Sequence, residues 1–241
     1  MSLRYQTIVL LLSLIPGLGQ ACGWWGDGES SSAVSTMSVT ASGQVVATEI
    51  DPMTDPELMI HLGDSFRTGS GPARDHNLAR HWYRLAAERG HPGGQYNLAQ
   101  MYELGLGVRR DTIEAAFWYR RAAEQGEVHS QHHLAAMYRD GRGVSRDPQL
   151  SLAWFEAAAR QGHGEVFPEL AMAYQQGQGV NTDLRRAYLW WWLAAESGDP
   201  EAIRQVAGLR QQMTVLVTGQ VEAEGRALRA GWRRVDEVPG S

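Results

Sequence analysis

The chain has 241 residues, 8 of them histidine and 27 acidic, and all 22 of its strong positive charges are arginine, which leaves a formal net charge of −5. That balance offers no basic field for nucleic acid, and the lack of lysine excludes Schiff-base, P-loop and general-base lysines. The single cysteine excludes an intramolecular disulfide, and no histidine sits in an HExxH pattern.

Residues 1–21 read as an export signal. Arg4 supplies a positive start, and residues 8–15 form a mostly apolar run that ends at Pro16 and Gly17. The run is shorter than the about 20 residues a membrane span needs. Gly19 and Ala21 place small residues ahead of Cys22. A lone cysteine there resembles the lipobox of bacterial lipoproteins, although Gly19 holds the usual leucine slot and Leu18 stands one place early. The resemblance implies a lipidated Cys22, with several acyl chains as a firm anchor. The competing reading is a cleaved periplasmic protein with an incidental thiol. Residues 22–53 are expected to be a flexible linker, because Gly, Ser, Thr and Ala dominate it and such a stretch buries too little surface to offset its ordering entropy. Trp24 and Trp25 stand beside Cys22, either at a membrane interface or as an exposed pair.

From residue 54 the chain repeats with a period of 36: 54–90, 91–126, 127–162 and 163–198. Gly90, Gly126, Gly162 and Gly198 fall in register, as do Leu62, Leu98, Leu134 and Leu170, and Asp75, Asp111, Asp147 and Asp183. A fixed period of this size means stacked units, each too small to bury its own apolar face. Within the second unit, a first helix is expected from about Gly94 to Glu103, with Leu98 and Tyr102 on one face. Gly105 and Gly107 then stop it with a tight turn, and Asp111 caps a second helix. There Ala115, Trp118, Tyr119, Ala122 and Ala123 recur as an amphipathic stripe. The other units keep these slots: the aromatic pair is Trp82–Tyr83, Trp118–Tyr119, Trp154–Phe155 and Trp190–Trp191.

Residues 98–126, LAQMYELGLGVRRDTIEAAFWYRRAAEQG, resemble a Sel1-like repeat, a relative of the tetratricopeptide repeat. The resemblance runs over about residues 55–205. It implies an all-α fold, a right-handed α-solenoid of antiparallel helix pairs, and a mostly non-enzymatic adaptor role of a kind many bacteria export. The disulfide-stapled branch of the family has no counterpart here. The pattern fades after Gly198, and residues 199–241 are read as capping helices and tail, with helices over 200–212 and 217–232. Trp192 occupies a slot held by Arg84, Arg120 and Glu156 in earlier units. It is expected to face outward and to pack under the last helix, against Trp232.

By analogy with tetratricopeptide domains, the first helix of each pair lines a concave groove. The residue before its leucine is His61, Asn97, His133 or Glu169, and the one before that includes Tyr96 and His132. Asp64 and Gln100 lie two after the leucine, and Arg67, Glu103, Arg139 and Gln175 lie further on. These slots vary while packing slots stay fixed, so His61, Asp64, Arg67, Tyr96, Asn97, Gln100, His132, His133, Arg139 and Glu169 are assigned as a protein-binding face. The competing reading is that varied slots are merely solvated.

His129, His132 and His133 have the spacing of a metal site, yet no carboxylate or cysteine near them in sequence completes a shell, so no metal or cofactor is assigned. No GxSxG elbow or paired-carboxylate motif marks a catalytic centre, and an open groove shifts pKa values poorly.

The chain therefore reads as a monomeric, non-enzymatic scaffold or regulator in a bacterial envelope, periplasmic or anchored to the outer membrane. Its partner would be an envelope protein or peptide. A glycan- or wall-binding protein, stacking sugars on Trp24, Trp25 and Trp192, is the alternative, and a hydrolase comes third.

Overall fold

The computed structural model describes residues 34–39, 45–50 and 55–236, with side chains over 55–232. Cys22, Trp24, Trp25 and the expected signal lie outside the described residues. Two units emerge, the first reaching Gly94 and including Leu106–Arg109, the second holding Gln95–Gly105 and everything from Arg110 onward.

Inside the stretch expected to be linker, strands β1 (Val34–Val39) and β2 (Val45–Ile50) pair antiparallel, Val34 opposite Ile50 and Val39 opposite Val45. Their β-branched residues fit a pleated ladder, a signal hidden by the surrounding Gly and Ser. The rest is helical: α1 (Pro56–Thr68), α2 (His76–Glu88), α3 (Pro92–Leu104), α4 (Thr112–Glu124), α5 (Val128–Asp140), α6 (Pro148–Arg160), a 3-10 turn (Gly164–Val166), α7 (Phe167–Gln176), α8 (Leu184–Ala195), α9 (Pro200–Arg210) and α10 (Val215–Asp236). These are the consecutive helix pairs of an α-solenoid. No helix among the described residues is long and apolar enough to cross a membrane.

The four aspartates behave as their spacing predicts. Asp75, Asp111, Asp147 and Asp183 each cap a second helix with the side chain. Each also donates its own N–H, at 2.9 Å, to the carbonyl of the preceding helix's aromatic, Phe66, Tyr102, Tyr138 or Tyr174. One residue thus closes the turn and starts the helix, at about 1 kcal/mol per cap. Helix α3 begins two residues earlier than expected, because Pro92 suits a first turn that needs no N–H donor.

The second glycine of the later turns packs against the start of the preceding pair's second helix. Gly143 has φ +72°, and a Cβ there would run into the carbonyl of Thr112. Gly179 meets Pro148 in the same way, and Gly107, inside the first unit, meets His76. Gly71, in the first described pair, differs: a Cβ on it meets nothing among the described residues.

In the second unit the core is the repeated stripe: Leu98, Leu134 and Leu170 are fully buried, with Tyr119, Phe155 and Trp191 and alanines from Ala122 to Ala194. The first tryptophan of each aromatic pair is only half-buried. Sequence reasoning missed a pair of amide bonds at the edge of this core, each from an exposed glutamine to a buried one. Gln125 Nε2 donates to buried Gln95 at 2.7 Å, and one period later Gln161 Nε2 donates to Gln131 at 2.9 Å. Phe167 and Ser197 take those slots in the last repeat, where the pairing stops.

Two corrections concern Trp192. Its slot does not point to solvent. Arg120 donates to Tyr138 of the next pair at 2.8 Å, and Glu156 accepts from Tyr174. Trp192 lies against Gly225 of α10, where an added Cβ would come within 2.7 Å of its ring, and Arg226 sits over the ring at 5.9 Å. Trp232 is not its partner. That ring stacks on Phe167, centroids 5.4 Å apart.

Candidate functional site

The assigned groove residues fall on α1 in the first unit and on α3, α5 and α7 in the second. On α1, His61 is half-buried. Asp64 accepts from the Tyr83 hydroxyl at 2.8 Å and from Arg67 Nη2 at 2.9 Å, while Arg67 Nε donates to Tyr83 at 3.0 Å. Burial, then the bond to Asp64, raises the Tyr83 hydroxyl far above its usual pKa. Asp64 and Arg67 are thus engaged with the core aromatic of α2.

The same relation recurs one period on. Tyr119 donates to Glu103 Oε2 at 2.8 Å, and Trp191 Nε1 donates to Gln175 at 3.0 Å. Phe155 has no polar tip, and there Arg139 turns instead to Asp140 at 2.8 Å and Glu169 at 2.7 Å. The slot holding Arg67, Glu103, Arg139 and Gln175 therefore varies with the aromatic beneath it. Variation at this position reflects a changing internal partner, which pattern reading alone does not reveal.

The second unit gathers the remaining residues into one aromatic and polar cluster. Tyr96 lies beside Tyr119, His129 and His133, with centroids 6.0, 5.7 and 5.9 Å away, and its hydroxyl accepts from Gln100 at 2.7 Å. Asn97 follows Tyr96 on α3 and is half-buried. His133 stacks flat on Tyr119 at 4.8 Å and approaches Glu103 at 3.4 Å, and Glu103 also accepts from Arg142 at 2.8 Å. The His133 contact holds the Glu103 carboxyl at about 2, against the opposing effect of burial and with help from Tyr119 and Arg142.

His132 turns toward the next repeat. Its Nδ1 lies 3.1 Å from His163 Nε2, and Glu165 Oε2 lies 3.6 Å from the first nitrogen and 3.7 Å from the second. Of the three histidines grouped by spacing, His132 is the one that meets His163 and Glu165 of the next repeat. Burial first, then neighbouring imidazoles, lower the pKa values of His132 and His163.

Two clefts lie elsewhere in this unit. One of about 240 Å³ adjoins Arg139, Glu169 and Phe155, and a wider one of about 710 Å³ lies where residues 180–186 face residues 212–217.

Helix pairs in register, with an aromatic and polar face along their first helices, define a repeat protein of the α-solenoid class. The chain belongs to the Sel1 repeat family, which matches residues 56–91, 92–127, 128–163 and 169–199. It is 32% identical to a Sel1 repeat protein from Oxalobacter formigenes of solved structure, with TM-score 0.61, over 64% of this chain and 63% of that one. It is 31% identical to a protective antigen of uropathogenic Escherichia coli strains that displays the same fold, with TM-score 0.64, over 72% of this chain and 38% of that one. The chain thus spans less than two thirds of either relative's length. No match was found among curated proteins. Sel1 repeat proteins generally serve as protein-interaction scaffolds and are typically non-catalytic.

Proposed function

We propose that this chain is a non-enzymatic scaffold of the bacterial envelope that holds an extended segment of a partner protein along the first helices of its repeats. The observation that carries the reading is the cluster on α3 and α5. Tyr96, Asn97, Gln100, His132 and His133 are all half-buried, beside fully buried Leu98 and Leu134 that hold the helices together. Amide and imidazole groups can donate to and accept from a peptide backbone, and Tyr96 adds rigid contact area. The glycan reading loses one of its three aromatics, because Trp192 lies under α10. In this reading Cys22 carries the lipid, and the tether raises the protein's effective concentration toward membrane neighbours.

Two measurements test this. Crosslinking to solubilised envelope proteins of the native host should capture a partner with the wild type and lose it with Asn97→Ala/Gln100→Ala, the variant's melting curve being unchanged. Equal capture by both would place binding on another face. Cys22→Ala should move the protein from the membrane fraction to the soluble one, and retention in the membrane would reject the anchor.

A further inference from the structure

The position before the first helix of each pair recurs as Asp55, His91, Glu127, His163 and Asp199, each 36 residues from the last. Four of the five cap their helix. Asp55 accepts from Glu57 N–H, His91 Nδ1 from Gly93 N–H at 3.1 Å, Glu127 from His129 N–H and Asp199 from Glu201 N–H. His163 alone makes no capping bond. The helix it should cap is replaced there by the 3-10 turn Gly164–Val166, ahead of Pro168. Its ring instead faces His132, and the turn brings Glu165 to the same point.

From this convergence we propose that His132 Nδ1, His163 Nε2 and Glu165 Oε2 form a binding site for a zinc-class divalent cation, with a fourth position left to water. Tetrahedral zinc with bonds of about 2.0–2.1 Å sets its ligand atoms about 3.3–3.4 Å apart. The three separations here are 3.1, 3.6 and 3.7 Å, so each needs to change by only about a few tenths of an ångström. Two imidazoles and a carboxylate suit zinc better than the hard cations that prefer oxygen. The Glu127 and Glu169 carboxylates also act on these rings and add negative potential to that of Glu165. Without metal, the two nitrogens share one proton in a hydrogen bond. On binding, the donor ring carries its proton on the other nitrogen, so no proton need leave. His132 is shared with the proposed binding cluster, whereas His163 and Glu165 lie outside it, so the site can be tested without a partner.

The test is zinc titration of the untagged full-length chain, read by competition with a chromogenic chelator, with visible absorption of the cobalt(II) form as the readout of tetrahedral geometry. One equivalent should bind. Glu165→Gln changes an exposed side chain and leaves the fold intact, and it should lower affinity at least about tenfold. His163→Ala should do the same, and His129→Ala, which removes a neighbouring imidazole outside the triangle, should not. Should His163→Ala fail to fold, Glu165→Gln decides alone. Absence of a one-equivalent site, or affinity untouched by Glu165→Gln, overturns the proposal.

Discussion

At the scale of single residues, Glu103 shows how a side chain beside the proposed binding cluster serves stability. It accepts from Tyr119 and Arg142 and meets His133, so Glu103→Gln should cost about 1–2 kcal/mol near neutral pH. The sign of its pH dependence follows from a lowered folded-state pKa. The contribution is complete above the unfolded carboxylate value of about 4.3 and fades as pH falls toward about 2. Urea unfolding of wild type and Glu103→Gln should therefore show a gap that is constant near neutrality and closes between about pH 5 and pH 2. A gap that widens on acidification would mean that Glu103 is not held as an ion.

At the scale of elements, the turns carry the stacking. Gly143→Ala must both hold a residue at φ +72° and push against the Thr112 carbonyl, so it should destabilise by about 2 kcal/mol or more. Gly71→Ala meets nothing within 4 Å and should change stability by less than about 0.5 kcal/mol. Thermal melts of the two variants decide, and equal losses would remove the turn from the stacking account. The helix pairs were legible in sequence because their signals are local: the aspartate cap, the glycine pair and the aromatic and alanine stripe all lie within one repeat. The triangle of His132, His163 and Glu165 was not, because its members come from two repeats and meet only where Pro168 and the 3-10 turn interrupt the pattern. The Gln125–Gln95 and Gln161–Gln131 pairs were missed for a related reason, since their members lie 30 residues apart and glutamine on a helix reads as surface. The hairpin of β1 and β2 escaped because composition outweighed its short valine alternation.

At the scale of the whole molecule, a repeat array needs its last open face covered, and α10 does this through Gly225 on Trp192. Trp192→Ala should lower unfolding free energy by about 2–4 kcal/mol, measured by urea denaturation beside the exposed control Leu216→Ala. An unchanged midpoint would mean that α10 does not seal the array. The central claim is that partners bind along the first helices. The most direct measurement is photo-crosslinking in the native host, with a photoreactive residue placed at 97 or 100 on α3 and, as control, at exposed Arg160 on α6. The account predicts a discrete adduct from positions 97 and 100 and none from 160; an adduct from 160 with none from 97 or 100 would contradict it.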